Sequence, residues 1–160
     1  MSEDNKIFAS VLIIAQNAER HIARCLDSVK DFAEVILVDG GSQDKTPDIA
    51  KAYSNVKFFY NPWPGFIEQR NFSLDQAGYE WCFMIDADEA ATSELVGAIR
   101  EVVEKGSEKV MYRVVRTEFF EGQAIESGHG QSAYQERLFV RDRIRYTGGV
   151  HHKHLLDGKP

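Results

Sequence analysis

The sequence predicts an α/β fold, a doubly wound and mostly parallel sheet. Three observations carry that expectation. Short apolar runs alternate with amphipathic stretches through about the first 90 residues. Several of those runs are apolar almost throughout, the pattern of strands covered on both faces. Each of three runs ends in a polar cluster, Ala15-Gln16-Asn17, Asp39-Gly40-Gly41-Ser42 or Asp86-Ala87-Asp88. In such sheets ligands bind beyond the carboxyl ends of the strands.

The elements follow in order. Ile7 to Ala15 (IFASVLIIA) is a buried strand. Glu19 to Asp31 places Ile22, Cys25, Leu26 and Val29 at helical spacing, behind a Gln16-Asn17-Ala18 loop. Val35 to Val38 is a second buried strand, closed by a polar glycine turn. Thr46 and Pro47 fit the N-cap and first turn of a short helix carrying Ile49, Ala50 and Tyr53. Val56 to Tyr60 is a third strand, and Asn61-Pro62-Trp63-Pro64-Gly65 cannot continue a ladder. Ile67 to Ala77 is a helix with Gly78 as its stop, and Trp81 to Ile85 is the fourth strand. Thr92 caps a helix with Leu95, Ile99, Val102 and Val103 inward and Gly106 behind it. Lys109 to Thr117 is β-rich, Glu121 to Ala133 is loop, and Tyr134 to Val140 with Ile144 to Tyr146 is expected to form a hairpin.

At 160 residues and 18.2 kDa the chain is expected to form one domain, 1–160. Its net charge of −6 argues against nucleic-acid partners. Arg137, Arg141, Arg143 and Arg145 concentrate positive charge, on either a solvated strand face or a surface for phosphates or anionic lipid. Cys25 and Cys82, both in apolar patterns, fit buried thiols in a reducing compartment. No apolar run approaches the roughly 18 residues a bilayer span needs. A cytoplasmic location is expected, with peripheral contact at the inner face of the membrane left open.

Asp86-Ala87-Asp88-Glu89 follows the apolar run Trp81 to Ile85. Strand alternation would send Asp86 and Asp88 from one face. Two close carboxylates repel, and a cation between them offsets that cost. Hard oxygen ligands favour Mg²⁺ or Mn²⁺, which keep open positions for water and substrate phosphates. A solvated turn is the competing interpretation.

Taken together these segments resemble the GT-A-fold nucleotide-sugar glycosyltransferases of family 2. The resemblance rests on Asn17-Ala18-Glu19, Cys25-Leu26-Asp27-Ser28-Val29, Val35 to Thr46, Gln69-Arg70-Asn71 and Asp86-Ala87-Asp88-Glu89, in register. Trp63-Pro64-Gly65-Phe66, Phe119 to Gly122, Gln135 to Phe139 and Val150-His151 are similar to the lipopolysaccharide-core and cell-envelope branch. A Rossmann G-x-G-x-x-G is absent.

The resemblance implies a nucleotide-sugar-binding half, about 1–90, and a β-rich acceptor-side half, about 91–160, where relatives usually continue further. It implies a UDP-sugar donor bordered by Ala15, Gln16, Asn17 and Glu19, with Asp39, in the turn of Gly41, accepting from the base. Arg70 would hold the ribose-diphosphate region, Asp86 would lie near ribose and metal, and Asp88 would ligate Mn²⁺ or Mg²⁺. Other roles stay open: Asp39 as a turn former, Arg70 as a salt-bridge partner, Trp63 and Phe66 as sugar-stacking groups or loop anchors. His151 is a candidate late metal or diphosphate ligand, while His152 and His154 fit exposed positions.

The implied reaction is transfer with inversion to a cell-envelope glycan or glycolipid, which needs a general base. Relatives tend to carry an acid where this chain has Ala133, leaving Glu136, Glu126 and His129 as candidates. The alternatives are a non-catalytic nucleotide-sugar or glycan-binding module and a sugar nucleotidyltransferase. The latter usually has a glycine-rich first loop, which Gln16-Asn17-Ala18-Glu19 is not. Association with a second copy is left open.

Overall fold

The computed structural model describes residues 5–117, 119–120, 123–124, 133–148 and 153–155. Strands β1 (Ile7–Ala15), β2 (Phe32–Asp39), β3 (Val56–Tyr60) and β4 (Trp81–Met84) alternate with helices α1 (Ile22–Ser28), α2 (Thr46–Lys51) and α3 (Phe66–Asp75). Helix α4 (Ser93–Lys105) and β5 (Met111–Arg116) follow, then the short β6 (Phe119–Phe120) and β7 (Gln123–Ala124). Strands β8 (Ala133–Val140), β9 (Ile144–Tyr146) and β10 (Lys153–Leu155) complete the order.

One sheet of six strands dominates, in the order β3-β2-β1-β4-β8-β5. The first four run parallel. β8 is antiparallel to both β4 and β5. Strand order reverses at β1, so the parallel part is doubly wound as expected, and the polar turns after β1, β2 and β4 share one edge.

Alternation explains the core. Val11 and Ile13 of β1 point into a cluster with Ile22, Cys25 and Leu26 of α1, Ala50 of α2 and Ile99 of α4. Leu12 and Ile14 point the other way, to Leu74 of α3 and Ile144 and Tyr146 of β9. Two covered faces require near-continuous apolar strands, and all but Phe8 of β1 is buried.

Several boundaries differ from expectation. Helix α1 starts at Ile22, because the Ala18 carbonyl first accepts from the His21 and Ile22 N–H groups. Thr46 does not cap α2: its hydroxyl accepts the Ala18 N–H, while Asp44 accepts the Thr46 N–H. Helix α3 ends at Asp75, and the Gly78 N–H is drawn instead to the buried Glu34 carboxylate. Glu34 also takes bonds from Ser10 and Lys57, which lets an acid lie inside β2. Thr92 and Gly106 bound α4 as anticipated, with Thr92 Oγ1 accepting the Leu95 N–H and Gly106 at φ 73°. The expected β8–β9 hairpin is absent, since β8 joins the main sheet while β9 pairs with β10. No helix among the described residues is long and apolar enough to cross a membrane.

Candidate functional site

At the carboxyl edge of the sheet the loops after β1 and β2 are laced together. Asn17 adopts a positive φ of 53°, a conformation asparagine tolerates. That bend sends the Asn17 N–H to Ser42 Oγ at 2.8 Å and brings Oδ1 to the Gln43 N–H at 2.8 Å. Glu19 repeats the exchange: its N–H donates to Asp44 and its carboxylate accepts the Lys45 N–H. Gln16 Nε2 donates to the Gly40 carbonyl at 3.2 Å. Asp39 sits beneath this, 1% exposed. One carboxylate oxygen accepts the Gly41 and Ser42 N–H groups and the other accepts the Ser42 hydroxyl. Asp39 thus shapes the turn, the alternative its sequence left open.

Beside that turn rises an aromatic ledge. A Cβ on Gly40 would lie 2.8 Å from the Trp63 ring, so only glycine admits the ring there. Trp63 meets Phe66 edge to face with centroids 4.8 Å apart, and both are partly exposed. The Arg70 guanidinium lies 5.9 Å from the Phe66 centroid and 5.6 Å from that of Tyr146. Arg70 therefore links the ledge to the third turn.

That third turn is Asp86–Glu89. Strand β4 ends at Met84, before the two aspartates, and the Glu89 N–H donates to the Asp86 carbonyl at 3.0 Å. A β-turn, not strand alternation, therefore places the carboxylates. Asp86 is flanked by two arginines, with Arg70 Nη2 at 3.4 Å from Oδ1 and Arg137 Nη2 at 3.0 Å from Oδ2. Arg137 also donates to Glu89 at 2.8 Å and to the Met84 carbonyl at 3.4 Å. Glu89 closes the turn by accepting the Asp86 N–H at 3.0 Å. Burial pushes the Glu89 carboxyl above its ordinary value, against the opposing pull of Arg137. Asp88 differs from both acids. Its side chain is exposed, and Arg24 holds only its backbone carbonyl, at 2.7 Å. Beneath the turn, Cys25 Sγ lies 3.6 Å from the Asp86 carbonyl oxygen. Burial, reinforced by the nearby acids, pushes this thiol up to about 12.

The structure thus gathers Ala15, Gln16, Asn17, Glu19, Asp39, Gly41, Arg70, Asp86 and Asp88 along one edge. Glu136 stands apart from the turn in its described contacts, with its carboxylate 3.8 Å from Arg113 of β5. Glu126, His129, His151 and His152 lie outside the described residues. Sequence reasoning placed Arg137 in a basic strip open to phosphates without linking it to the Asp86–Glu89 turn, and missed Glu89, Ser42 and Asp44 as site builders.

The profile described as Glycosyl transferase family 2 matches residues 10–155. The chain belongs to glycosyl transferase family 2. It is 32% identical over 145 residues to the lipopolysaccharide core biosynthesis glycosyltransferase LpsC of Rhizobium meliloti, covering 88% of this chain and 54% of LpsC. It is 33% identical over 149 residues to the SPbeta prophage-derived glycosyltransferase SunS of Bacillus subtilis, covering 87% of this chain and 33% of SunS. This family 2 chain thus spans about half the length of LpsC and a third of SunS.

Among solved structures, S. aureus TarS in complex with UDP superposes with a TM-score of 0.54 at 29% identity, covering 61% of this chain and 32% of TarS. The mannosyltransferase PcManGT of Pyrobaculum calidifontis, in complex with GDP-Man and Mn²⁺, gives a TM-score of 0.58 at 20% identity and 69% coverage of this chain. PcManGT spans further, since the match covers 36% of it, and its likeness shows the fold. The sheet of this family 2 member is accordingly of the GT-A type.

The donor set present fits a hard divalent ion. Among the described residues no group of three or more His, Cys, Asp or Glu forms a cage. Asp88 is exposed and Asp86 is shared between two arginines. One free carboxylate with a partly engaged neighbour suits a cation that keeps most positions for water and phosphate.

Proposed function

We propose that this family 2 chain transfers a sugar, with inversion, from a nucleotide-diphospho-sugar to a cell-envelope glycan or glycolipid. UDP is the favoured nucleotide. One observation carries the proposal: the Asp86–Glu89 turn presents an exposed Asp88 on the edge where the Asn17 and Gly41 loops converge. The name of LpsC supports the acceptor class, and the UDP bound by TarS supports the donor.

Each residue then has a task. The laced loops fix Gln16 and Asn17 as a rigid border for the nucleotide. Asp39 acts through the turn it holds. Arg70 and Arg137 hold the Asp86 carboxylate between them, beside developing phosphate charge. Asp88, with Asp86 alongside, would hold Mg²⁺ or Mn²⁺, which neutralises charge on the departing diphosphate.

The test is calorimetric titration of UDP, GDP and CDP, with and without Mn²⁺, into wild type and Asp88→Ala. UDP binding that Mn²⁺ strengthens, with that strengthening lost in the variant, is the expected result. UDP binding indifferent to both EDTA and Asp88→Ala removes the metal role. One second reading, a module that binds the donor without turnover, is supported by Ala133 standing where relatives tend to carry an acid. Release of UDP from a UDP-sugar in the presence of acceptor glycolipid separates the two.

A further inference from the structure

We infer that Arg137 is a positioning residue, set by a β-bulge in β8, which fixes the Asp86–Glu89 turn and thereby the metal affinity of the donor site. The inference rests on the donor-site reading above and extends it to a side chain from the far half of the chain.

The backbone supplies the first argument. Along β5 and β8, Tyr112 faces Leu138 and the next residue, Arg113, faces Glu136. Arg137 has no opposite residue on β5 and is the extra residue of a bulge. A bulge breaks strand alternation and re-aims one side chain, and bulges recur beside active sites. The irregularity also falls where β4 stops: its last pair with β8 is Phe83 with Leu138, one step before Arg137. The freed guanidinium enters the space past the end of β4.

The side chain supplies the second argument. Arg137 is 6% exposed, and burying a guanidinium is costly unless its N–H groups are answered. It donates to the Met84 carbonyl, to Asp86 and to Glu89, the last residue of β4 and the two ends of the turn. Glu89 passes the constraint on by accepting the Asp86 N–H. Asp88 lies inside this clamp and makes no described side-chain bond of its own, so its direction follows from the turn. Charge points the same way. Two guanidiniums, Arg70 and Arg137, face Asp86 and Glu89, while Arg24 reaches Asp88 through its backbone carbonyl, so the Asp88 carboxylate carries no described ion pair. Removing Arg137 would release Asp86 and Glu89 to repel each other and splay the turn.

Orienting partners behind a metal ligand typically change metal affinity by roughly 10–100-fold when removed. The experiment compares wild type, Arg137→Gln and Arg137→Lys. Mn²⁺ affinity in the presence of UDP is read from the paramagnetic resonance of free Mn²⁺, and UDP affinity is read without metal. Amide exchange at Asp86 and Glu89 reports the turn itself. Arg137→Gln is expected to weaken Mn²⁺ binding about 10–100-fold, leave metal-free UDP binding within about twofold, and speed exchange at both amides. Arg137→Lys, which keeps the charge but not the fork, should fall between. A purely structural arginine would lower the melting temperature and weaken UDP binding with and without metal alike, and that pattern overturns the inference. So does unchanged Mn²⁺ affinity in a folded Arg137→Gln. If Arg137→Gln does not fold, Arg137→Lys decides by the same readings. If wild type binds no nucleotide, the proposed function fails. The positioning role is then judged on amide exchange alone, and unchanged exchange sinks it.

Discussion

Individual carboxylates in this chain look alike in sequence and differ sharply in place. Asp39 is buried under its own turn, Asp86 is shared by two guanidiniums, and Asp88 is exposed. The D-x-D spacing was legible because polar residues after an apolar run mark a strand end. The partners of Asp86 were not, because Arg137 is distant in sequence and reaches the turn only through pairing of β8 with β4. Asp39→Ala would orphan the Gly41 and Ser42 N–H groups and cost about 1–3 kcal/mol in urea unfolding. Asp39→Asn retains one acceptor oxygen and should cost less than half as much. Equal losses would mean the charge, not the turn bonds, matters. Glu34 gives a pH prediction. Burial pulls its carboxyl up, but bonds from Lys57, Ser10 and Gly78 outweigh that and hold it below its ordinary 4.5. Its stabilisation is therefore fully present above pH 4.5 and is lost as pH falls through the lower folded-state value. Glu34→Gln turns an amide N–H₂ toward the Lys57 ammonium and should cost about 1–3 kcal/mol at pH 7. The gap between variant and wild type should close under acid, as urea curves at stepped pH would reveal. A gap that widens under acid would rule this account out.

At the level of elements, identity was easier to read than extent. The strands and helices through β4 declare themselves by period, yet α1 begins later and α3 ends earlier than their apolar spacing implies. Helix ends are decided by competition for N–H groups, and the winners here are distant side chains. Thr46 takes the Ala18 N–H and Glu34 takes that of Gly78, contacts across 28 and 44 positions. The β8–β9 hairpin failed for a related reason. Arg141–Arg143 forms a 3₁₀ turn that redirects the chain, and the Arg141 N–H donates to the Glu80 carbonyl. The loop after β3 is tied to the loop after β2 by the Asn61 and Trp63 N–H groups, which donate to the Asp39 and Gly40 carbonyls, and by the missing Cβ at Gly40. Gly40→Ala puts a Cβ against the Trp63 ring, so Trp63 must move. The expected outcome is a red shift of tryptophan emission as Trp63 becomes more exposed, while Trp81 stays buried. A stability loss of about 1–3 kcal/mol accompanies it. An unchanged spectrum would show that the ledge is not held by Gly40.

For the molecule as a whole, the parallel half was predictable and the closing half was not. Alternating strand and helix imply a right-handed, parallel construction. Nothing local says that β8 inserts between β4 and β5, because the ladder joins residues some 55 positions apart, as in Cys82 with Phe139. The consequence is that residues beyond 105 complete the core as well as any acceptor side. Leu138 and Phe139 are buried, one in each of the two apolar clusters. A chain cut after Lys105 should lose cooperative thermal unfolding and bind a hydrophobic dye. A sharp melt from that fragment would show that the four parallel strands suffice.

The inserted strand also sets a timetable for synthesis. β4 ends at residue 84, but its neighbour β8 does not begin until residue 133. At ~5–20 residues per second, that edge leaves the ribosome about 2–10 s before its partner. Throughout that interval the apolar Trp81–Met84 ladder is open to other nascent chains. The cell must shelter it or translate through it quickly.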